Sequence, residues 1–135
     1  MLALDTSALV KRYVEEPGTE LVLETMARDG EWCASALCLA EAQVTLCHLG
    51  FDASAERSLL WALHTDWERF LVVPADDLCL ARAAEIGCAH RVRTLDAIHL
   101  AAADRLPRPV TFLTFEARQA KAAEAVGLDV GDGVS

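Results

Sequence analysis

The feature that most constrains the fold is a regular alternation of short apolar runs with longer stretches of helical periodicity. Strands are predicted at residues 2–4, 31–34, 70–73, 110–114 and 128–130. Helices are predicted at residues 6–14, 18–29, 36–49, 52–68, 76–89, 94–105 and 116–126. Strands joined through helices pair in parallel by right-handed crossovers. We therefore predict an α/β fold, a three-layer α/β/α sandwich with a mostly parallel sheet, in a single domain that spans residues 1–135.

Cysteine usage and hydropathy indicate the compartment. The chain contains five cysteines: Cys33, Cys38, Cys47, Cys79 and Cys88. They are odd in number, lie in apolar segments and form no C-x-x-C pair, so we predict buried free thiols in a reducing cytosol. No apolar run approaches the roughly 20 residues of a membrane-spanning helix, and no signal peptide is evident. The expected location is therefore cytoplasmic, without a membrane partner.

The charge of the chain is acidic overall but uneven. A net charge of −9 argues against a surface that attracts nucleic acid everywhere. Between residues 91 and 121, however, six basic residues outnumber three acids. The six are Arg91, Arg93, Arg105, Arg108, Arg118 and Lys121. They form either a local basic rim or a scatter of solvated charges.

An acidic residue ends the first predicted strand. Asp5 follows the apolar run at residues 2–4 directly. In open parallel sheets, ligands bind beyond the carboxyl ends of the strands, where the strand order reverses. Asp5 is therefore expected to lie in that crevice.

Two further acids lie in strongly apolar helices. Glu41 is the one acidic or basic residue of the helix at 36–49, and it either meets a partner in a site, faces solvent or pairs with an arginine. Asp96 falls in the first turn of the helix at 94–105, with Thr94 as its predicted N-cap, so favourable helix capping explains it equally well. His99 lies three residues further on and is read as a packed or hydrogen-bonded residue rather than a metal ligand.

A fourth acid follows the strand at 110–114. Glu116 lies just past its end, where an acid also suits the first turn of the next helix. Thr114 either caps that helix or hydrogen-bonds a neighbouring carboxylate.

Convergence of these acids would create a specific chemistry. Several carboxylates within a few ångströms resist joint ionisation, and a divalent cation resolves that conflict. Oxygen ligands select a hard ion, Mg²⁺ or Mn²⁺. Such an ion can activate water and stabilise charge on phosphate oxygens, which suits phosphodiester hydrolysis.

Two other acid-bearing α/β families fit less well. A haloacid-dehalogenase phosphatase needs a second aspartate two residues after the first, where this chain has Ser7. A receiver domain needs a lysine after its fifth strand, and the two lysines here, Lys11 and Lys121, lie elsewhere.

Four segments together resemble the PIN domain, in particular the VapC-like toxins of type II toxin–antitoxin pairs. They are "LDTSALVKRY" at 4–13, "AEAQ" at 40–43, "TLDAIHLAAA" at 94–103 and "FLTFEARQ" at 112–119. The resemblance implies the strand order 3-2-1-4-5 and a Mg²⁺- or Mn²⁺-dependent endoribonuclease. It implies that Asp5, Glu41 and Asp96 are the catalytic metal ligands. Glu116 stands where the family usually has aspartate and is a weaker ligand, while Ser7 and Thr114 support the site.

The resemblance also implies partners: an RNA substrate, a cognate antitoxin and a second copy of the chain in a homodimer. Two alternatives stay open at this point. A housekeeping RNA-processing nuclease of the same fold would share the chemistry, and a non-catalytic PIN-like module would bind RNA or protein without cutting.

Overall fold

The sheet of the protein is parallel throughout, as the alternation of elements predicts. We describe a computed structural model, in which residues 1–131 are described. The strands are β1 (Leu2–Leu4), β2 (Trp32–Ser35), β3 (Leu71–Val73), β4 (Thr111–Leu113) and β5 (Asp129–Val130). Their order is β3-β2-β1-β4-β5, and each neighbouring pair is parallel. The predicted strand order 3-2-1-4-5 is confirmed.

Helices cover both faces of this sheet. They are α1 (Thr6–Val10), α2 (Thr19–Arg28), α3 (Leu37–Cys47), α4 (Ala53–Trp67), α5 (Asp77–His90), α6 (Thr94–Asp104) and α7 (Ala117–Ala125). One apolar core lies between the sheet and α5, α6 and α7, and the other lies between the sheet and α1 to α4. The predicted three-layer sandwich is therefore confirmed over the described residues; residues 132–135 of the predicted domain lie outside them.

Side-chain alternation along β1 connects the two cores. Leu2 and Leu4 pack into the core under α1 to α4, whereas Ala3 between them packs into the opposite core. Successive side chains of a strand point to opposite faces, and a strand covered on both faces has no polar side. This explains why the strand preceding Asp5 is a continuous apolar run.

Helix α6 is the most deeply buried helix of the described chain. All seven residues from Ala97 to Ala103 are buried. Four of the seven are alanines, whose small side chains let the helix approach the sheet and α5 closely. This tight fit sets the position of Asp96 and His99 relative to the sheet.

Helix α1 is shorter than predicted. It ends at Val10, and the N–H groups of Lys11, Arg12 and Tyr13 then bond to carbonyls three residues back. These tighter turns replace the last part of the helix predicted at 6–14. The periodic pattern persists through the turns, so it does not mark where the helix stops.

The prediction that all five cysteines are buried is wrong for two of them. Cys47 and Cys88 are exposed, because each lies on the outward side of its helix, whereas the other three are buried. All five are free thiols. Among residues 1–131, no helix combines the length and apolarity that crossing a bilayer requires.

Candidate active site

The four acids singled out in the sequence line one cleft. Asp5, Glu41, Asp96 and Glu116 all border a cavity of about 560 Å³. Because β1 lies between β2 and β4, the strand order reverses beside it, and the cleft opens at the carboxyl ends of β1 and β4. The structure thus brings together the residues that the sequence predicts as a site, and their roles stay predictions.

Asp5 is the buried centre of the cleft. It is 3% exposed and caps α1 by accepting a hydrogen bond from the Ala8 N–H at 3.0 Å. Ser7 Oγ lies 2.8 Å from its Oδ1, and Thr114 Oγ1 donates to its Oδ2 at 2.7 Å. Burial raises the pKa of Asp5, and these hydrogen bonds oppose that rise without cancelling it. Asp5 is thus a carboxylate whose buried charge is held by neutral donors.

Glu41 is oriented by two residues from other elements. His99 Nε2 lies 2.5 Å from Glu41 Oε1, and Thr6 Oγ1 donates to the same oxygen at 2.9 Å. The hydrogen bond from His99 holds the pKa of Glu41 below its ordinary value, although partial burial acts in the opposite direction. The direct side-chain partners of Glu41 in the described chain are thus a histidine and a threonine, and Arg93 contributes only a longer-range charge.

Asp96 lies in the first turn of α6. Its carboxylate is 24% exposed, and Arg93 Nε lies 3.4 Å from Oδ2. The predicted N-cap is wrong by one residue: Thr94 is already helical, and Arg93 takes the cap position without a side-chain hydrogen bond. The extended backbone of Arg93 meets the geometric demand of an N-cap, so no hydroxyl is needed there.

Thr114 fulfils one of the two functions predicted for it, since it hydrogen-bonds the carboxylate of Asp5 but does not cap α7. Besides donating to Asp5, its Oγ1 accepts the Glu116 N–H at 3.1 Å. Ser7 is placed similarly, since its Oγ also accepts the Phe115 N–H at 3.0 Å. These bonds fasten the end of β4 to the end of β1. Glu116 itself is exposed and is the outermost of the four acids.

Three residues of the cleft were not predicted as site residues from the sequence: Lys11, Thr6 and His99. Lys11 lies at the rim, with Nζ 3.1 Å from Glu16 Oε1 and 4.6 Å from the Phe115 ring centroid. Thr6 and His99 reach Glu41 from different elements. A signal for His99 existed, because it is a polar side chain in an apolar helix, but its partner depends on how α6 packs against α3.

The acids are spread around the cleft and are not gathered on one point. Among residues 1–131, no three His, Cys, Asp or Glu side chains lie close enough together to hold a metal ion. The reason is visible in the hydrogen bonds, since Glu41 is turned to His99 and Asp96 to Arg93. The donor set nevertheless fits a hard divalent cation, because its atoms are carboxylate oxygens and the partners of buried Asp5 carry no full positive charge.

Comparison with known proteins agrees with the geometry. The family model of the PIN domain matches residues 2–125. The chain is also 33% identical over 132 residues to Ribonuclease VapC47 of Mycobacterium tuberculosis, covering 94% of this chain and 93% of that protein.

Solved structures share the fold at low sequence identity. FitAcB from Neisseria gonorrhoeae superposes with a TM-score of 0.77 at 20% identity, covering 98% of both chains. VapBC2 from Rickettsia felis, bound to a promoter DNA fragment, gives 0.69 at 17% identity, covering 97% of this chain and 98% of that one. A toxin–antitoxin complex from Klebsiella pneumoniae gives 0.69 at 17% identity, covering 100% and 96%. With the family model spanning nearly the whole sequence, the chain belongs to the PIN-domain family, as its four motifs predict.

Proposed function

We propose that this protein is a metal-dependent endoribonuclease that hydrolyses RNA phosphodiester bonds, and that it is the toxin of a toxin–antitoxin pair. One observation carries the catalytic part of the proposal. Asp5 is a buried carboxylate without a cationic hydrogen-bond partner among residues 1–131, in a cleft bordered by three more acids. The similarity to a protein named as a ribonuclease supports RNA as the substrate.

Asp5, Glu41 and Asp96 would hold Mg²⁺ or Mn²⁺, and Glu116 would contribute at longer range, through water. The ion, when bound, would supply the positive charge that activates water and neutralises phosphate oxygens. A carboxylate is the appropriate ligand for such an ion. We expect Glu116 to contribute less to metal binding because its side chain is longer and exposed.

The other cleft residues orient these ligands. Ser7 and Thr114 restrict the carboxylate of Asp5, so that it need not reorganise when a ligand binds. His99 and Thr6 both occupy Oε1 of Glu41, which leaves Oε2 for the cleft. Second-layer hydrogen bonds of this kind orient metal ligands and raise their affinity.

The direct test is cleavage of a mixed RNA pool by the purified protein. Reactions contain Mn²⁺, Mg²⁺ or a chelator, and each is repeated with Asp5→Asn. We expect cleavage that requires both the ion and Asp5. Persistent cleavage in chelator, or full activity of a folded Asp5→Asn variant, would overturn the metal-site assignment.

The toxin role has a separate test in cells. Expression without the product of the neighbouring gene should arrest growth, and co-expression of that product should restore it. The solved relatives support this role, since one is named as a toxin–antitoxin complex. Normal growth despite active enzyme would favour a housekeeping RNA-processing nuclease.

We further propose a cytoplasmic homodimer. Large apolar side chains are exposed on the single chain, and Trp61 (72%) and Leu78 (73%) are the most exposed of these in the described residues. Association would remove such surface from water. Light scattering behind size exclusion should give twice the mass of 14.6 kDa.

A further inference from the structure

A second groove continues from the acidic cleft. It encloses about 410 Å³ and lies between the segment that links α5 to α6 and the beginning of α7. Arg93, Asp96 and Glu116 border both cavities, so the two form one continuous surface. Anything that lies in this groove therefore also reaches the candidate active site.

Arginines line this groove. Arg91, Arg93 and Arg118 all border it, and all three are exposed. Among residues 1–131, the side chains of Arg91 and Arg118 form no hydrogen bond or salt bridge, and the one contact of Arg93 is that with Asp96. The guanidinium groups of Arg91 and Arg118 are therefore available to a ligand, and that of Arg93 bridges the groove to Asp96.

Two other arginines of the same basic stretch are already engaged. Arg105 lies 2.7 Å from Asp76, and Arg108 lies 2.6 Å from Asp104. Each is thus neutralised by an acid within the fold. The basic stretch seen in the sequence therefore separates into two groups. Arg105 and Arg108 are held in ion pairs within the fold, whereas Arg91 and Arg118 have no such partner in the described residues and lie next to the acids of the cleft.

The backbone at Arg91 gives an independent reason to assign a function to this side chain. Arg91 ends α5 with φ 54° and ψ 41°, and within residues 1–131 it is the one residue other than glycine with positive φ. Glycine adopts this left-handed conformation without steric cost and is the usual residue at such a helix end. An arginine is therefore kept at a position where it is conformationally unfavourable, and its side chain lines the groove.

The start of α7 adds to the positive potential. Ala117, Arg118 and Gln119 line the groove, and no side chain caps the N-terminus of this helix. Free N–H groups in the first turn carry partial positive charge and favour anions. The groove thus carries three arginines and the positive end of a helix beside two acids, on a protein whose net charge is −9.

We propose that this groove, lined by Arg91, Arg93 and Arg118, binds the sugar–phosphate backbone of the RNA substrate next to the scissile bond. This inference rests on the proposed function. Planar guanidinium groups pair with phosphate oxygens in a fixed, bidentate geometry. The strand then runs from the arginines to the carboxylates, and the groove sets affinity while the cleft performs the chemistry.

The test measures RNA binding in the cleavage-deficient Asp5→Asn chain. Fluorescence anisotropy with a labelled single-stranded RNA of mixed sequence gives Kd between about 50 and 200 mM salt. The test variant carries Arg91→Gly and Arg118→Ala, and the matched control is Arg57→Ala, another exposed arginine without a partner in the described residues. We expect the double variant to bind about tenfold more weakly. The slope of log Kd against log salt should fall by about 1.4, since each lost phosphate contact on a single strand contributes about 0.7.

Stability separates a binding role from a structural one. Arg91→Gly relieves the left-handed strain, so its Tm should be unchanged or higher while RNA binding falls. A lysine at position 91 should keep most of the salt slope, because it keeps the charge. Equal affinity and slope in the double variant and in Arg57→Ala would overturn the inference. It would also be overturned if the double variant kept its RNA binding and instead lost the product of the neighbouring gene, because the groove would then be a protein-docking surface.

Cleavage by the otherwise unmodified chain distinguishes this inference from the proposed function. With Asp5 intact, the two arginine substitutions should raise KM and leave kcat nearly unchanged. Metal-dependent cleavage with an unaltered KM would refute RNA binding in the groove and would still support the proposed nuclease activity. If RNA binding depends on the arginines but no cleavage occurs under any condition, the proposed nuclease activity is refuted and RNA binding in the groove still stands.

Discussion

His99 Nε2 and Glu41 Oε1 lie 2.5 Å apart, which joins helix α6 to helix α3 across the wall of the cleft. His99 is 4% exposed, and its other ring nitrogen, Nδ1, has no hydrogen-bond partner within residues 1–131. The ring is thus held in place by the contacts of Nε2 with Glu41 and, at 3.4 Å, with Thr6 Oγ1, and by packing. Because Thr6 donates to the same carboxylate oxygen, the orientation of Glu41 depends on two side chains that belong to other helices.

Replacing His99 should therefore weaken metal binding. His99→Leu removes the donor while filling similar volume, so Glu41 is free to rotate. We expect the Kd for Mn²⁺, measured by isothermal titration calorimetry, to rise about 10-fold or more. His99→Gln is the matched variant, because its amide can donate to Glu41, and it should recover part of the affinity. Parent-like Mn²⁺ affinity in a folded leucine variant would show that His99 has only a packing role.

Asp5→Asn should raise the thermal stability of the metal-free protein and abolish its stabilisation by Mn²⁺. Removing a buried charge that neutral groups surround is expected to raise the Tm by a few degrees in the absence of metal. Saturating Mn²⁺ should then raise the Tm of the parent but not that of the variant, because ligands stabilise only a state that binds them. Differential scanning fluorimetry measures both effects. An equal Mn²⁺ shift in the two proteins would place the ion elsewhere.

Thr114→Val should be costly for a change of one atom. The substitution removes the shorter of the two hydrogen bonds to Oδ2 of Asp5, the other being from Ser7 at 3.0 Å, and it leaves the Glu116 N–H without its acceptor. Thr114 is 0% exposed. We expect a loss of about 1–3 kcal/mol in the free energy of unfolding, measured in urea. Thr111→Val in β4, the strand directly before Thr114, is the control, since the Thr111 side chain makes no hydrogen bond among residues 1–131, and it should be nearly neutral. Similar losses in both variants would assign the cost to β-strand packing.

Glu116→Gln should reduce cleavage less than Asp5→Asn does. Glu116 is exposed, and its carboxylate forms no hydrogen bond within the described chain. Initial rates on the same RNA at fixed Mn²⁺ give the comparison, with Glu124→Gln on the exposed side of α7 as the control. A loss as complete as that of Asp5→Asn would place Glu116 among the principal ligands.

The ion-paired Asp104 should make stability depend on pH. Partial burial alone would raise its pKa, but hydrogen bonds from Arg108 and Arg82 outweigh burial and hold the pKa below its ordinary value. A depressed folded-state pKa stabilises the protein above the unfolded-state pKa, about 3.9, and this contribution is lost as the pH falls through the folded value. Asp104→Asn should therefore cost about 1 kcal/mol or less at pH 7, because solvent screens this partly exposed ion pair. The difference from the parent should shrink in urea titrations below about pH 4, and a constant difference would exclude the linkage.

The sequence was sufficient to predict the layers and the cleft because both follow from local patterns. Alternating apolar runs and helical periods predict a parallel sheet, and Asp5 and Glu116 follow strands whose carboxyl ends meet at one edge. The strand order itself came from the family resemblance, since several orders satisfy the same alternation.

The features that the sequence could not show are the rotation of each helix about its axis and the partner of each charged side chain, because tertiary packing sets both. The bond between His99 and Glu41 depends on the rotation of α6 about its axis, which a helix that is apolar on nearly every side leaves undetermined. The separation of paired from unpaired arginines required knowing which acids lie nearby in space. The end of α1 at Val10 was missed because turns with bonds three residues back preserve the apolar spacing.

The hydrogen bond between Thr114 and Asp5 spans 109 residues of sequence, and it has a consequence for how the protein is made. A ribosome adds about 5–20 residues per second, so Asp5 waits on the order of ten seconds for its partner to be synthesised. Until β4 takes its place beside β1, the first acid has neither Thr114 nor the segment that carries Glu116. On the proposed function, the nascent chain thus lacks a complete cleft for most of its synthesis, and a partner that restrains the finished protein has that interval in which to arrive.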